Sequence, residues 1–339
     1  MTPRLGSLFA RAVVADPPGV VRGGPLPGAG GRPRPSRNRP LRDLVQLARP
    51  TQWLKNVLVV PLALIGVPGL GPADLAAIGW VVLAFCLAAS VVYVWNDIAD
   101  RHRDRAHPVK RDRPVAAGRI TVTTAAAYGT GLAALLLVVL VFGPAINWWP
   151  LLAYLVLNIA YSRWLKQVPL LDVFVVAAGF LLRVIQGYVA LAVPPASMLL
   201  IAVFALCLLL IIGKRRHEVN AAGLGHRPAL AGISSQFLEY LMVLCGAVAV
   251  TGGLLYLNDE RAAGPQTDAV LLLSVPFAIF ALARYLQLVV VRSDGGDPVR
   301  VLLRDPVIRV TALVWAVVVV AVVALPAAAL ELIAPNPRS

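Results

Sequence analysis

Residues 96–113, Asn-Asp-Ile-Ala-Asp-Arg-His-Arg-Asp-Arg-Ala-His-Pro-Val-Lys-Arg-Asp-Arg, crowd acids and bases together in an otherwise apolar chain. On a helix with Asp97 at zero, Asp100 falls at about −60°, Asp104 at about −20° and Asn96 at about −100°. Four oxygen-bearing side chains then share one face across two turns. Three carboxylates crowded this way repel one another unless a cation lies among them, and an all-oxygen ligand set suits Mg²⁺. Asn96, Asp97, Asp100 and Asp104 are therefore candidate metal ligands, and the three aspartates are candidate catalytic residues. The plainer expectation is a solvated helix end whose acids pair with Arg101, Arg103 and Arg105.

The setting of this stretch is a membrane. The 339 residues are 59% hydrophobic and only 14% charged, and the mean hydropathy is +0.77. Apolar segments of bilayer length, or nearly so, recur at 56–70, 76–95, 122–143, 147–161, 169–193, 196–212, 236–257, 269–291 and 307–333. The expected fold is thus an all-α integral membrane protein of nine transmembrane helices, the first and fourth short. Charge placement agrees: 27 of the 31 Lys and Arg lie in the amino-terminal segment and every second connection. By the positive-inside rule the amino terminus is cytoplasmic and the carboxyl terminus outside, which requires an odd number of spans. Residues 1–40, rich in Pro, Gly and Arg without hydrophobic period, read as a disordered cytoplasmic tail, and 41–339 as the transmembrane catalytic domain.

Each connection on the cytoplasmic side carries residues suited to phosphate. Lys55 and Asn56 stand at the mouth of the first span, beside Trp53 as an interfacial anchor. Pro108 is expected to stop the acidic helix, and Lys110, Arg111 and Arg113 follow in a short loop. Tyr161 and Lys166 close the fourth span, Asp172 opens the fifth, and Lys214, Arg215 and Glu218 close the sixth. Carboxylates beside a cationic loop suit a metal-bridged diphosphate: the acids hold Mg²⁺, the metal holds phosphate, and Lys or Arg neutralises the remaining oxygens. Arg183 lies about three turns, or ~16 Å, deeper than Asp172. An ionisable residue at that depth faces a polar cavity or a partner such as a helix carbonyl.

Other chemistries find little support. The net charge of +14 is largely topological and attracts anionic lipid headgroups; no nucleic-acid partner is expected. Cys86, Cys207 and Cys245 are far apart and lie in spans, which suits small packing residues rather than zinc or disulfides. There is no Walker loop, GxGxxG, GxSxG or HExxH. A homo-oligomer remains open, since symmetric assemblies are common and no interface can be read from the residues.

The NDxxDxxxD stretch after the second span, with Arg111–Gly118 behind it, resembles the first aspartate-rich motif of the UbiA-type prenyltransferase superfamily. The resemblance runs from about residue 42 to the end, and it implies a helical bundle around a central cavity opening to the cytoplasm. It departs from aromatic prenyltransferases of that superfamily at 213–218. There Gly-Lys-Arg-Arg-His-Glu replaces a second acidic cluster. Residues 49–56, 107–111, 161–166, 169–172 and 213–215 resemble the decaprenyl-phosphate phosphoribosyltransferase branch. That resemblance implies transfer of 5-phosphoribosyl from 5-phosphoribosyl 1-diphosphate to decaprenyl phosphate or a similar polyprenyl phosphate in bacterial arabinan synthesis, with Mg²⁺ as cofactor. Lys166 joins the aspartates as a catalytic candidate. Lys55, Asn56, Lys110, Arg111, Arg113, Tyr161, Asp172, Arg183, Lys214, Arg215 and Glu218 become the substrate-binding set. The alternatives are an aromatic prenyltransferase of quinone or haem synthesis, and a non-catalytic membrane transporter or lipid-binding protein.

Overall fold

The computed structural model describes residues 40–64, 67, 69–106, 110–222, 233–258, 267–292 and 298–324. All regular structure among them is helical. A short amphipathic helix α1 (Pro40–Ala48) leads through a 3₁₀ turn at Pro50–Gln52 into α2 (Leu54–Val59), which runs on as a 3₁₀ turn at Val60–Leu64. Then come α3 (Pro72–Ala99), α4 (Arg101–Arg105), α5 (Val122–Phe142), α6 (Trp149–Arg163) and α7 (Leu171–Ala190). The remainder is α8 (Ser197–Ala222), α9 (Ser235–Leu257), α10 (Thr267–Leu286) with a π-helical end at Gln287–Val291, α11 (Pro298–Arg304) and α12 (Pro306–Ala324).

Seven of these helices, α3, α5, α7, α8, α9, α10 with its π-helical end and α12, are long and apolar enough to cross a membrane. The other two segments expected to span differ. Of the segment 56–70, the described helical part ends at Leu64 with the 3₁₀ turn after α2, and α6 has only 15 residues. Neither alone reaches the ~20 residues that a bilayer core requires. The helix starts follow local rules. Pro72 stands in the first turn of α3, whose preceding Gly71 N–H donates to the Asp74 carboxylate at 2.8 Å. Thr121 Oγ1 and Ser234 Oγ accept the third-residue N–H of α5 and α9, both at 3.1 Å.

Two apolar cores hold the helices. One joins α3, α5 and α6 through Val81, Phe85, Ala88, Leu136, Val139, Leu151 and Tyr154. The other joins α7, α8, α9 and the end of α10 through Val173, Ala177, Leu208, Ile212, Met242 and Tyr285. Helix α7 contacts both α3 and α8 and so links the two. It also packs tightly on the 3₁₀ turn after α2 through a glycine: a Cβ on Gly187 would lie 2.7 Å from Ala63 Cβ and 2.9 Å from the Val60 carbonyl oxygen. Gly187→Ala should therefore destabilise the protein by about 1–3 kcal/mol through overpacking. Gly79→Ala, where a Cβ meets nothing within 4 Å, should not, and thermal unfolding in detergent separates the two.

Candidate functional site

The ends of α3, α6 and α8 and the start of α7 bring the acidic and basic side chains together. Helix α3 stops at Ala99, and Asp100 takes φ −88° and ψ 3° before α4 restarts. Across that break the Asp100 N–H still bonds the Asn96 carbonyl at 2.8 Å and the Asp104 N–H the Asp100 carbonyl at 2.9 Å, so Asp97 and Asp104 stay on one side. Asp97 and Asp104 turn inward and are buried, Asp100 stays partly exposed toward Lys166, and Asn96 is half-buried. The expected pairing with Arg101, Arg103 and Arg105 is largely replaced. Arg101 donates to the Ile98 carbonyl and Arg105 to the Ala116 carbonyl, each at 3.0 Å, and Arg103 comes no nearer than 4.0 Å to Asp100.

The neutralising cations come from remote segments. Arg113 Nη1 donates to both Asp97 Oδ1 at 3.0 Å and Asp104 Oδ2 at 2.7 Å. Lys166 Nζ, from the 3₁₀ turn Leu165–Gln167, lies 3.3 Å from both oxygens of Asp100. Arg49 Nη2 also donates to Asp97 Oδ1, with its guanidinium over the Tyr93 ring at 4.8 Å from the centroid. Arg49 adopts φ 53° and ψ 61°, a left-handed conformation that a non-glycine residue holds only when its surroundings insist. Its neighbours supply that insistence. Ser90 Oγ donates to the Ala48 carbonyl and accepts from Trp53 Nε1, both at 3.0 Å.

A second charged group lies at the junction of α7 and α8. Asp172, in the first turn of α7 where the helix dipole favours an anion, is buried against Arg215, with Nε 3.1 Å from Oδ2. Arg215 Nη1 also reaches Glu218 Oε2 at 2.6 Å. Leu170, two residues before Asp172, is a further non-glycine residue at positive φ, 64°. Lys214 is exposed beside this group, and Lys110 and Arg111 are exposed on the 3₁₀ turn Lys110–Asp112. His107, Pro108 and Val109, including the expected helix stop, lie outside the described residues. Arg216 was not singled out by its sequence position and serves the scaffold. It donates to Glu239 at 2.8 Å and to the Val289 and Val290 carbonyls at 2.9 and 3.2 Å.

Below the charged mouth is a cavity of about 170 Å³ lined by Lys55, Tyr93, Tyr154, Asn158, Tyr161 and Arg183, with Phe180 and Val175 among the apolar wall. Arg183 is buried and held on several sides. Nε donates to Asn56 Oδ1 at 2.6 Å, Nη1 to the Gly179 carbonyl at 2.6 Å and Nη2 to Tyr154 Oη at 3.1 Å. The guanidinium also faces the Tyr154 ring at 4.4 Å. Both readings of Arg183 hold together: it lines the cavity and it bonds a helix carbonyl. Asn56 differs from its expected place at the mouth. It is fully buried, and its amide is engaged by Arg183 and by Cys86 Sγ at 3.4 Å. Arg49, Tyr93 and Tyr154 are the residues that sequence reasoning passed over. The signal that pointed to any of them was the stretch 49–56, which Arg49 heads and which carries part of the resemblance.

No group of three or more His, Cys, Asp or Glu side chains converges as a ready-made metal site among the described residues. The donor set nevertheless fits a hard cation. Two buried carboxylates, Asp97 and Asp104, already converge on one cationic atom, Arg113 Nη1, and every donor is an oxygen.

Comparison with known proteins places these features in a family. The sequence profile of the UbiA prenyltransferase family matches residues 57–304. A decaprenyl-phosphate phosphoribosyltransferase of Mycolicibacterium smegmatis is 35% identical over 297 residues, covering 80% of this chain and 89% of the relative. One from Corynebacterium glutamicum is 32% identical over 286 residues, covering 80% and 84%. A UbiA homologue from Archaeoglobus fulgidus, solved with GPP and Mg²⁺, shares the fold with a TM-score of 0.57 at 21% identity over 84% of this chain and all of that one.

The Arg183 network generates a stability test. Arg183→Met keeps the apolar stem but removes the donor to the buried Asn56 Oδ1 and Tyr154 Oη, which should cost on the order of 3 kcal/mol. Thermal unfolding in detergent measures it, and a loss near zero would mean that the network holds nothing together.

Proposed function

The chain belongs to the UbiA prenyltransferase family, and we propose that it moves a 5-phosphoribosyl group from 5-phosphoribosyl 1-diphosphate to a polyprenyl phosphate, releasing diphosphate. The observation that carries this reading is the buried Arg215 held between Asp172 and Glu218. A fixed cation there, next to Lys214 and added to Lys166 on Asp100, suits substrates with three phosphate groupings: the diphosphate, the 5-phosphate and the lipid phosphate. Relatives named decaprenyl-phosphate phosphoribosyltransferase, matched over most of their length, support the same choice. Decaprenyl phosphate is accordingly the proposed acceptor, and supply of an arabinan precursor the proposed role.

In this mechanism Asp97, Asp100 and Asp104, with Asn96 beside them, would hold Mg²⁺, which supplies neutralisation of the leaving diphosphate when bound. Lys166, whose ammonium already faces Asp100, donates hydrogen bonds to diphosphate oxygens as negative charge grows there. Lys55, Lys110, Arg111, Arg113, Lys214 and Arg215 orient the remaining phosphate oxygens. Glu218 and Tyr161 would meet the sugar, and Asp172, buried behind them, would act by holding Arg215. The lipid phosphate is anionic near neutral pH and attacks the ribose anomeric carbon without a general base. Arg183 and Asn56 act through others: their bond fixes α2 against α7 and so holds the cavity wall.

The reading includes nine crossings, with α2 and α6 completing the seven long helices. It also includes a cytoplasmic amino terminus and cavity mouth, an external carboxyl terminus, and residues 1–40 as a cytoplasmic tail ahead of the catalytic domain. The location is the bacterial plasma membrane.

Purified protein with Mg²⁺ and ribose-labelled 5-phosphoribosyl 1-diphosphate should transfer label to the lipid phase only when polyprenyl phosphate is present. Consumption of prenyl diphosphate with an aromatic acceptor instead would replace this function with an aromatic prenyltransferase. Asp100→Ala should lower kcat by at least about a hundredfold; undiminished turnover in this variant would remove Asp100 from the catalytic set.

A further inference from the structure

We infer that Arg113 is a resident counter-cation that the metal must displace, so that a divalent ion enters this site together with the diphosphate rather than ahead of it. The inference rests on the metal-binding part of the proposed function. Its geometric basis is the shared atom: Arg113 Nη1 bonds Asp97 Oδ1 and Asp104 Oδ2 at 3.0 and 2.7 Å, where a point cation would sit between them.

The pairing is asymmetric in a way that says which partner leaves. The side chains of Asp97 and Asp104 are 2% and 4% exposed, whereas that of Arg113 is 27% exposed. The carboxylates are part of the packed interior; the guanidinium covers them from the open side. Arg113 is also anchored from behind. Its carbonyl accepts from Ala117 N at 2.8 Å, and Val115, Ala116 and Ile120 are buried, with Val115 and Ile120 in the core beside Val94. The side chain can therefore swing without unseating its loop. Arg49, the other cation on Asp97, is stacked on Tyr93 and fixed by its left-handed backbone, so it stays.

Charge balance then orders the events. Asp97 and Asp104 against Arg49 and Arg113 make a neutral group around two buried carboxylates. Exchanging the guanidinium for a divalent ion leaves surplus positive charge, and surplus buried charge is costly unless paired. An arriving diphosphate supplies the missing negative charge and gives the displaced Arg113 its new partner, a guanidinium–phosphate fork. Arg113 thus couples metal affinity to diphosphate occupancy.

The test measures Mn²⁺ binding to detergent-purified protein by the electron paramagnetic resonance of the free ion, with no phosphate compound present. Arg113→Gln should bind Mn²⁺ at least about tenfold more tightly than the unaltered protein, because it removes the competing cation from two buried carboxylates. Arg113→Lys, which keeps a charge but not the fork, should fall between the two; it carries the same comparison if Arg113→Gln does not yield folded protein. In the transferase assay Arg113→Gln should raise KM for 5-phosphoribosyl 1-diphosphate more than it lowers kcat. Mn²⁺ affinity unchanged or weakened in these variants, while the unaltered protein binds the ion, would overturn the exchange and leave the proposed reaction standing. No Mn²⁺ binding to any of the proteins, with the labelled transfer proceeding in chelator, would overturn both the exchange and the metal reading.

Discussion

Charge buried in an apolar bundle must be paired, and that constraint arranges the whole polar end of this protein. Among the described residues, the charged side chains the helices draw inward meet an opposite charge or a carbonyl: Asp97 with Arg49 and Arg113, Asp104 with Arg113, Asp172 with Arg215, Arg183 with Asn56 and Gly179. In a low-dielectric surround an unpaired member of any of these sets would cost several kcal/mol. The pairs also connect distant segments, since the partner of an acid on α3 comes from the end of α1, from the loop before α5 or from the turn after α6. The electrostatic requirement is thus also a tertiary constraint. It closes the polar ends of the helices on one another where apolar packing alone would allow sliding.

The same pairs gather cations of the kind the proposed phosphate substrates require. Of the cations that neutralise carboxylates, Arg113 and Lys166 are partly exposed and hold their acids from the open side. The deeper layer is fixed. Arg183 and Asn56 are bonded within the protein, and Arg216 is committed to the π-helical end of α10. A graded arrangement follows, with rigid charge below and exchangeable charge at the mouth beside the aromatic cavity.

The family, the membrane setting and the acidic stretch were legible in the residues. Apolar run lengths identified the seven long helices, and the oxygen donors at 96–104 identified the acids that now gather cations. Arg215 stood out because a base occupied a place where acids were expected, and it is indeed the charge that Asp172 faces. Other features were not legible. The break at Asp100 leaves no mark in a stretch of helix-forming residues. Arg49 and Arg216 look like any interfacial arginine. Arg183 could be placed by depth but not by partner, because its acceptor Asn56 is 127 residues away in sequence.

What the sequence determined by itself is what depends on composition and spacing: which segments are apolar enough to leave water, and which stretches carry oxygen donors or cations. Those are local properties, set by transfer free energy and helical period. Only the tertiary structure decided which cation meets which acid, which polar side chains turn inward, and that Arg113 spans Asp97 and Asp104 while Asp100 faces Lys166. The reason is physical. A buried charge takes whichever counter-charge the packing of the helices brings within hydrogen-bond reach, and that packing is a property of the whole bundle.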